Sequence, residues 1–128
     1  MLDTNIVIYT LRNKPARVRT AFDRHAGEMC LSTVTLGELV YGAEKSTQVE
    51  RNLAVIEGLA ARMEVCPFDA RAAMHFGQIR AELARSGQAI GPFDTMIAGH
   101  ARALGLILVS NNRKEFERVP GLRLQNWT

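Results

Sequence analysis

Cysteine is scarce in this chain. Cys30 and Cys66 sit in the apolar runs Glu28-Met29-Cys30-Leu31 and Glu64-Val65-Cys66-Pro67. They have no C-x-x-C spacing and no secretory leader ahead of them, so they read as small buried hydrophobes in a reducing cytoplasm. No apolar run approaches a membrane span, and no targeting segment is visible. No glycine-rich phosphate loop opens a helix, which argues against a nucleotide-binding module. His25, His75 and His100 lack His-x-x-x-His spacing, and structural or surface roles are assigned to them. Internal repeats and low-complexity linkers are absent.

What remains is ordinary in amount and informative in order. The 128 residues are 47% apolar and 23% charged, with a net charge of +3 and a pI near 9.2. That length suits one domain over residues 1–128, and the mild excess of cations suits a polyanionic partner such as nucleic acid.

Strand-like and helix-like segments alternate. Met1-Leu2 ends a strand, and Thr4 or Asn5 caps a short helix carrying Ile6, Val7, Ile8 and Leu11. Pro15 opens a helix to about His25, with Val18 and Phe22 one turn apart. Met29-Cys30-Leu31 is a second strand. Ser32 or Thr33 caps a helix with Val34, Leu36, Leu39, Val40 and Ala43 as its apolar set. A helix from about Val49 to Ala61 follows, with Leu53, Ile56 and Ala60 on one face. Glu64 to Phe68 forms a strand. Asp69 caps a long helix with Ala72, Phe76, Ile79 and Leu83 inward, ended by Ser86-Gly87. Phe93 or Asp94 starts another, with Ile97, Ala101 and Leu104 inward and Gly105 as its stop. Leu106 to Val109 is a central strand, and Leu122 to Leu124 a last short one.

This order predicts an α/β fold, a parallel sheet of about four to five strands with helices on both faces. A first strand of two residues is short against the usual length of about five or six. The natural chain is therefore expected to begin a few residues upstream.

Four stretches carry the chemistry: Leu2-Asp3-Thr4-Asn5, Gly37-Glu38-Leu39, Gly91-Pro92-Phe93-Asp94 and Ser110-Asn111-Asn112. In open α/β sheets, ligands gather beyond the carboxyl ends of the strands. Asp3 and Ser110 to Asn112 follow strands directly, and Asp94 opens the helix before the central strand. Glu38 borders the buried face of its helix, where a carboxylate must be paired or metal-bound to stay charged. Carboxylates gathered at one point repel unless a cation lies between them, and a hard divalent ion takes oxygen ligands. Taken singly, Asp3 and Asp94 also serve as helix-capping or first-turn acids, and Asn112 as a turn residue.

Together with their flanks these stretches resemble the PIN-domain ribonucleases, and more narrowly the VapC toxins of bacterial toxin–antitoxin pairs. The carriers are Met-Leu-Asp-Thr-Asn at 1–5, Ser-Thr-Val-Thr-Leu-Gly-Glu-Leu-Val-Tyr-Gly at 32–42, Gly-Pro-Phe-Asp-Thr-Met-Ile-Ala at 91–98, and the looser Leu-Val-Ser-Asn-Asn-Arg-Lys-Glu-Phe at 108–116. By this resemblance Asp3, Glu38 and Asp94 match the family's acids. Asn112 falls where a fourth acid is common, which weakens a second metal position. Glu115 ranks as an outer or surface residue.

The resemblance implies magnesium-dependent, or manganese-dependent, cleavage of structured RNA, most often transfer RNA and in close relatives initiator transfer RNA. It also implies a homodimer and a VapB-like antitoxin partner. Asp3 and Asp94 would hold the metal directly, with Glu38 direct or through water and able to take a proton from that water. Candidate RNA contacts are Arg12, Lys14, Arg17, Arg19, Arg80, Arg85, Arg113 and Lys114. Phe93 and Tyr41 could stack on bases, although core or partner packing is the expected role of Phe93. Apolar faces with Val18, Phe22, Leu53 and Ile56 suit core, dimer or antitoxin contacts.

A housekeeping RNA-processing or DNA-cleaving PIN nuclease is the near competitor. A phosphate-accepting signalling domain is further off. It wants paired acids after the first strand and a lysine after the last central strand, where this chain has Thr4-Asn5 and Ser110.

Overall fold

The computed structural model describes all residues from Met1 to Thr128. In chain order the elements are α1 (Thr4–Arg12), α2 (Ala16–Arg24), β1 (Cys30–Ser32), α3 (Thr33–Glu44), α4 (Val49–Ala60), β2 (Glu64–Cys66), α5 (Ala70–Arg85), α6 (Pro92–Ala103), β3 (Ile107–Val109), α7 (Arg113–Phe116) and β4 (Arg123–Gln125).

The strands form two parallel pairs, β1 with β2 and β3 with β4. Residues 1–3 join them. The Leu2 amide donates to the Cys30 carbonyl at 3.0 Å on one side. On the other, the Asp3 amide donates to Val109 and the Val109 amide to Met1, each at 2.9 Å. The spatial order is therefore β2, β1, the N-terminal segment, β3, β4. The expected sheet is present, with its first strand reduced to one bridging residue, Leu2, parallel to Val109.

Alternation along this sheet fills two cores. Met1, Cys30 and Leu108 point into one, with Ile79, Leu83, Ile97, Ala98, Ala101 and Phe116 from α5, α6 and α7. Leu2, Leu31 and Val109 point into the other, with Ile6, Val7, Val18, Phe22, Leu39 and Ile56 from α1 to α4. Successive strand residues face opposite sides, so this split places helices on both faces. Val18, Phe22 and Ile56 are core residues, and Leu53 packs on them.

Helix ends show which local signals dominate. Ser32 Oγ accepts from the Val34 amide and Asp69 Oδ1 from Ala72, as their residue types predict. Asp3, not Thr4 or Asn5, caps α1, accepting from the Thr4 amide at 2.8 Å. Helix α6 starts at Pro92, one residue ahead of the expected start, because proline suits the first helical position. Leu104 was expected inward. It is the C-cap of α6 and lies exposed, and Gly105 follows with φ +67° to turn the chain into β3.

One close approach fixes α6. A Cβ at Gly99 would lie 2.7 Å from the Phe76 nitrogen and 2.9 Å from its Cα, so only glycine lets the α5 backbone come this near. Arg102 clasps the same pair, donating to His75 Nδ1 at 3.0 Å, Gln78 Oε1 at 2.6 Å and the Pro120 carbonyl at 2.8 Å. The helix that carries Asp94 is thereby set against the body.

Candidate active site

The carboxyl ends of the N-terminal segment, β1 and β3 open on one edge of the sheet, and α1, α3 and α7 begin there. Asp3 is only 4% exposed. Its Oδ1 takes the Thr4 amide, and its Oδ2 takes the Ser110 hydroxyl at 2.8 Å. The same Ser110 oxygen accepts from the Asn112 amide at 2.9 Å. Thr4 Oγ1 donates to Glu38 Oε1 at 2.7 Å, which ties α3 to the start of α1. Asn112 Nδ2 donates to Glu115 Oε2 at 3.1 Å and reaches Asp94 Oδ2 at 3.5 Å. Asp3, Glu38, Asp94 and Asn112, which the sequence singled out separately, thus belong to one polar network.

Charge in this network is unbalanced. Burial, then the neighbouring charges of Asp3, Glu115 and Glu38, push Asp94 up to about 6. Burial also raises Asp3, and the bonds from Ser110 and Thr4 pull it part of the way back. No lysine or arginine forms an ion pair with any of these acids; the protein's ion pairs are Arg19–Asp23, His25–Glu28 and Arg113–Glu117. The side chains are not closed as a ligand cage of three. Each acid is instead tethered to a neutral donor, Ser110, Thr4 or Asn112. Hard oxygen donors, mutual repulsion and no internal cation fit a divalent metal ion.

Of the two roles expected for Glu115, outer or surface, the structure gives the outer one: it is half-buried, accepts from Asn112 Nδ2 and adds its charge to the push on Asp94. Phe116, fully buried, anchors α7 and holds it in place. Ser110 and Thr4 act as clamps on Asp3 and Glu38. Both were visible as hydroxyls beside the acids, but sequence alone does not show which carboxylate each one reaches.

The cationic candidates scatter. Arg12 lines a groove of about 1310 Å³ that also contains Thr4 and Glu38. Arg113 and Lys114 directly follow Asn112, though Arg113 is held by Glu117 at 3.0 Å. Arg19 is held by Asp23 at 3.3 Å. Lys14, Arg17, Arg80 and Arg85 are exposed on helices or their ends, with Arg80 over the Phe76 ring. Phe93, for which core or partner packing was expected, is 56% exposed and so is not part of the core. His25 stacks on Trp127, and His100 is buried beside Ser32 Oγ at 2.8 Å, so both histidines have structural partners.

A PIN-domain family profile matches residues 1–122. The chain belongs to the PIN-domain family. Within it the chain joins the VapC group. It is 64% identical over its full length to the tRNA(fMet)-specific endonuclease VapC of Shigella flexneri, covering 97% of that protein. It is 53% identical to ribonuclease VapC2 of Haemophilus influenzae strain Rd, over 99% of this chain and 96% of the relative. Among solved structures, the DNA-bound VapBC complex of Salmonella typhimurium superposes with a TM-score of 0.95 at 56% identity, covering 100% of this chain and 97% of the matched one. Whole-length likeness to PIN nucleases leaves no ground for the signalling-domain reading. PIN-domain ribonucleases depend on metal as a class, which agrees with the donor set described above.

Proposed function

We propose that this protein is the toxin of a toxin–antitoxin pair, a cytoplasmic endoribonuclease that cuts initiator transfer RNA with magnesium, or manganese in its place. The single observation that carries this is the 64% identity, without loss of either end of the chain, to a tRNA(fMet)-specific endonuclease. A VapB-like antitoxin and a homodimer complete the reading, and the VapBC structural neighbours support the antitoxin. Residues 1–128 act as one PIN domain.

Asp3 and Asp94 hold the ion, with Glu38 direct or through water. The ion supplies charge neutralisation at phosphorus and a water of lowered pKa. The chain does the rest. Ser110 keeps Asp3 oriented, Thr4 aims Glu38 to take a proton from the attacking water, and Asn112 steadies Asp94 and Glu115 without adding charge. Exposed cations such as Arg12, Lys14, Arg80, Arg113 and Lys114 give affinity for phosphates without sequence choice.

The test is incubation of purified protein with bulk transfer RNA and magnesium, followed by sequencing of the new ends. Cleavage confined to initiator transfer RNA, and lost in Asp94→Ala, is expected. Full activity in Asp94→Ala, or intact initiator transfer RNA, overturns the proposal.

A further inference from the structure

Behind the acid cluster, one side-chain bond joins the segment that carries Glu38 to the helix that carries Asp94. Ser32 is the N-cap of α3, and its Oγ lies 2.8 Å from His100 Nδ1 on α6. No other side-chain hydrogen bond links α3 or its cap to α6. Both residues are buried. Their neighbours set the direction of the bond. Ser32 Oγ already accepts from the Val34 amide at 3.1 Å, so its hydrogen is left to donate to Nδ1. The ring proton then sits on Nε2, with the Pro67 carbonyl as its neighbour. Burial pushes the imidazole below its ordinary range, against smaller upward pulls from Asp69 and the Pro67 carbonyl, so the ring is neutral and Nδ1 stays free to accept. Phe68 meets the ring edge-on at 5.5 Å, and its amide donates to Thr33 Oγ1 at 3.0 Å. The turn from β1 into α3 is therefore held from two sides.

We propose that His100 is a positioning residue for the reaction: by accepting from Ser32 it fixes the start of α3 against α6 and so sets the separation of Glu38 and Asp94. The proposal rests on the metal-dependent nuclease reading and adds a control point outside the acid cluster. Glu38 lies six positions after Ser32, and Asp94 six before His100. A helix carries a displacement from one turn to the next because its own backbone bonds keep it stiff. The Glu38 charge is among those that push Asp94 upward, so the two acids repel. No bond joins them; Glu38 is held by Thr4, and Asp94 is reached by Asn112. Without a metal ion this repulsion acts to part α3 from α6, and the Ser32–His100 bond opposes it from behind. A buried neutral bond suits the task, since it resists displacement without adding charge to a site already crowded with one sign. Burial of Ser32, with its oxygen engaged by Val34, denies it access to substrate, so the pair is not a nucleophile and its base.

The test uses the full chain with His100→Leu, which fills the space without an acceptor, and His100→Asn, whose side-chain oxygen can accept from Ser32. Calorimetric titration of magnesium, well below each melting midpoint, is the first readout. His100→Leu should weaken binding of the ion about tenfold, the low end for a residue acting behind a metal ligand. His100→Asn should recover most of that loss. The kcat for transfer RNA should fall in step while KM holds. Combining His100→Leu with Ser32→Gly, a substitution that an N-cap tolerates, should weaken binding no further than either change alone. Nitrogen NMR of the metal-free parent should place the His100 proton on Nε2 alone. Parent magnesium affinity and kcat in folded His100→Leu, whatever its melting temperature, overturn the proposal, as does a proton on Nδ1. Should the leucine variant not fold, Ser32→Gly decides by the same two readings. Magnesium binding is read without RNA, so transfer RNA left intact by the parent would overturn the nuclease reading while the titration still decides this one.

Discussion

Ser110 and Asp3 lie 107 positions apart in sequence, yet the serine hydroxyl donates to the aspartate Oδ2 at 2.8 Å with both residues almost wholly buried. The bond orients one oxygen of the deepest acid. It also gives the Asn112 amide an acceptor.

Ser110→Ala should therefore fold and still cut RNA, but about 10- to 100-fold more slowly, as expected when a partner of a metal ligand is removed. Ser110→Thr should retain most activity. Calorimetric titration of magnesium into both variants checks the assignment: weaker binding is expected only for the alanine.

Asp94 carries a pH signature. Its folded pKa of about 6 exceeds the ordinary 3.8, so the unfolded state sheds this proton first as pH rises. Stability tied to the group is fully present below pH 3.8 and is lost as pH rises through about 6. Solvent screening at a half-buried site reduces the effect to roughly 1 kcal/mol. Melting curves of metal-free protein against its Asp94→Asn variant, from pH 4 to 8 (about that range suffices), should diverge with rising pH in favour of the variant. Parallel curves would refute a carboxyl raised by burial and by the neighbouring acids.

Metal dependence follows from the same crowding. Chelation should abolish cleavage, and added magnesium should restore it and raise the melting temperature. Asp3→Ala, Glu38→Ala and Asp94→Ala should each lose at least 100-fold in activity, on the order expected for a lost metal ligand, while remaining folded. Metal-free, the Asp94 variant should melt no lower than the parent, whereas Asp3→Ala also loses the α1 cap and the Ser110 partner and should melt lower. A normal magnesium-induced rise in the Asp94→Ala variant would remove that residue from the ligand set.

Gly99→Ala tests the helix contact that sets Asp94. The new methyl would meet Phe76 backbone atoms at 2.7 and 2.9 Å, which no rotamer can relieve. A destabilisation of about 1–3 kcal/mol is expected. Urea denaturation measures it, and activity should fall because α6 shifts.

Much of this was legible beforehand because the signals were local. Asp69 and Ser32 cap helices as their chemistry dictates, and Ala72, Ile79 and Leu83 mark the buried stripe of α5 by spacing alone. The acids stood out through their positions after strands. What escaped was tertiary. Leu104 matches the α6 periodicity but is its C-cap, where the chain turns away and leaves the side chain exposed although Ala101 and Ala103 are buried. For Glu115 the sequence left an outer and a surface role open, and the tertiary placement of α7 by buried Phe116 decides for the outer one. Phe93 counts as hydrophobic in any pattern, and only the packed structure shows that it lies outside the core.

The seam through the middle of the sheet bears on synthesis. Residues 1–3 take backbone partners from Cys30 on one flank and Val109 on the other, and the side chain of Asp3 takes Ser110. Asp3 is seated only when Ser110, 107 positions later, has taken its place beside it. Chains released ahead of β3 carry Asp3, Glu38 and Asp94 but lack the wall against which they assemble. A fragment that stops short of β3 lacks the Val109 backbone partner and the Ser110 hydroxyl that seat Asp3.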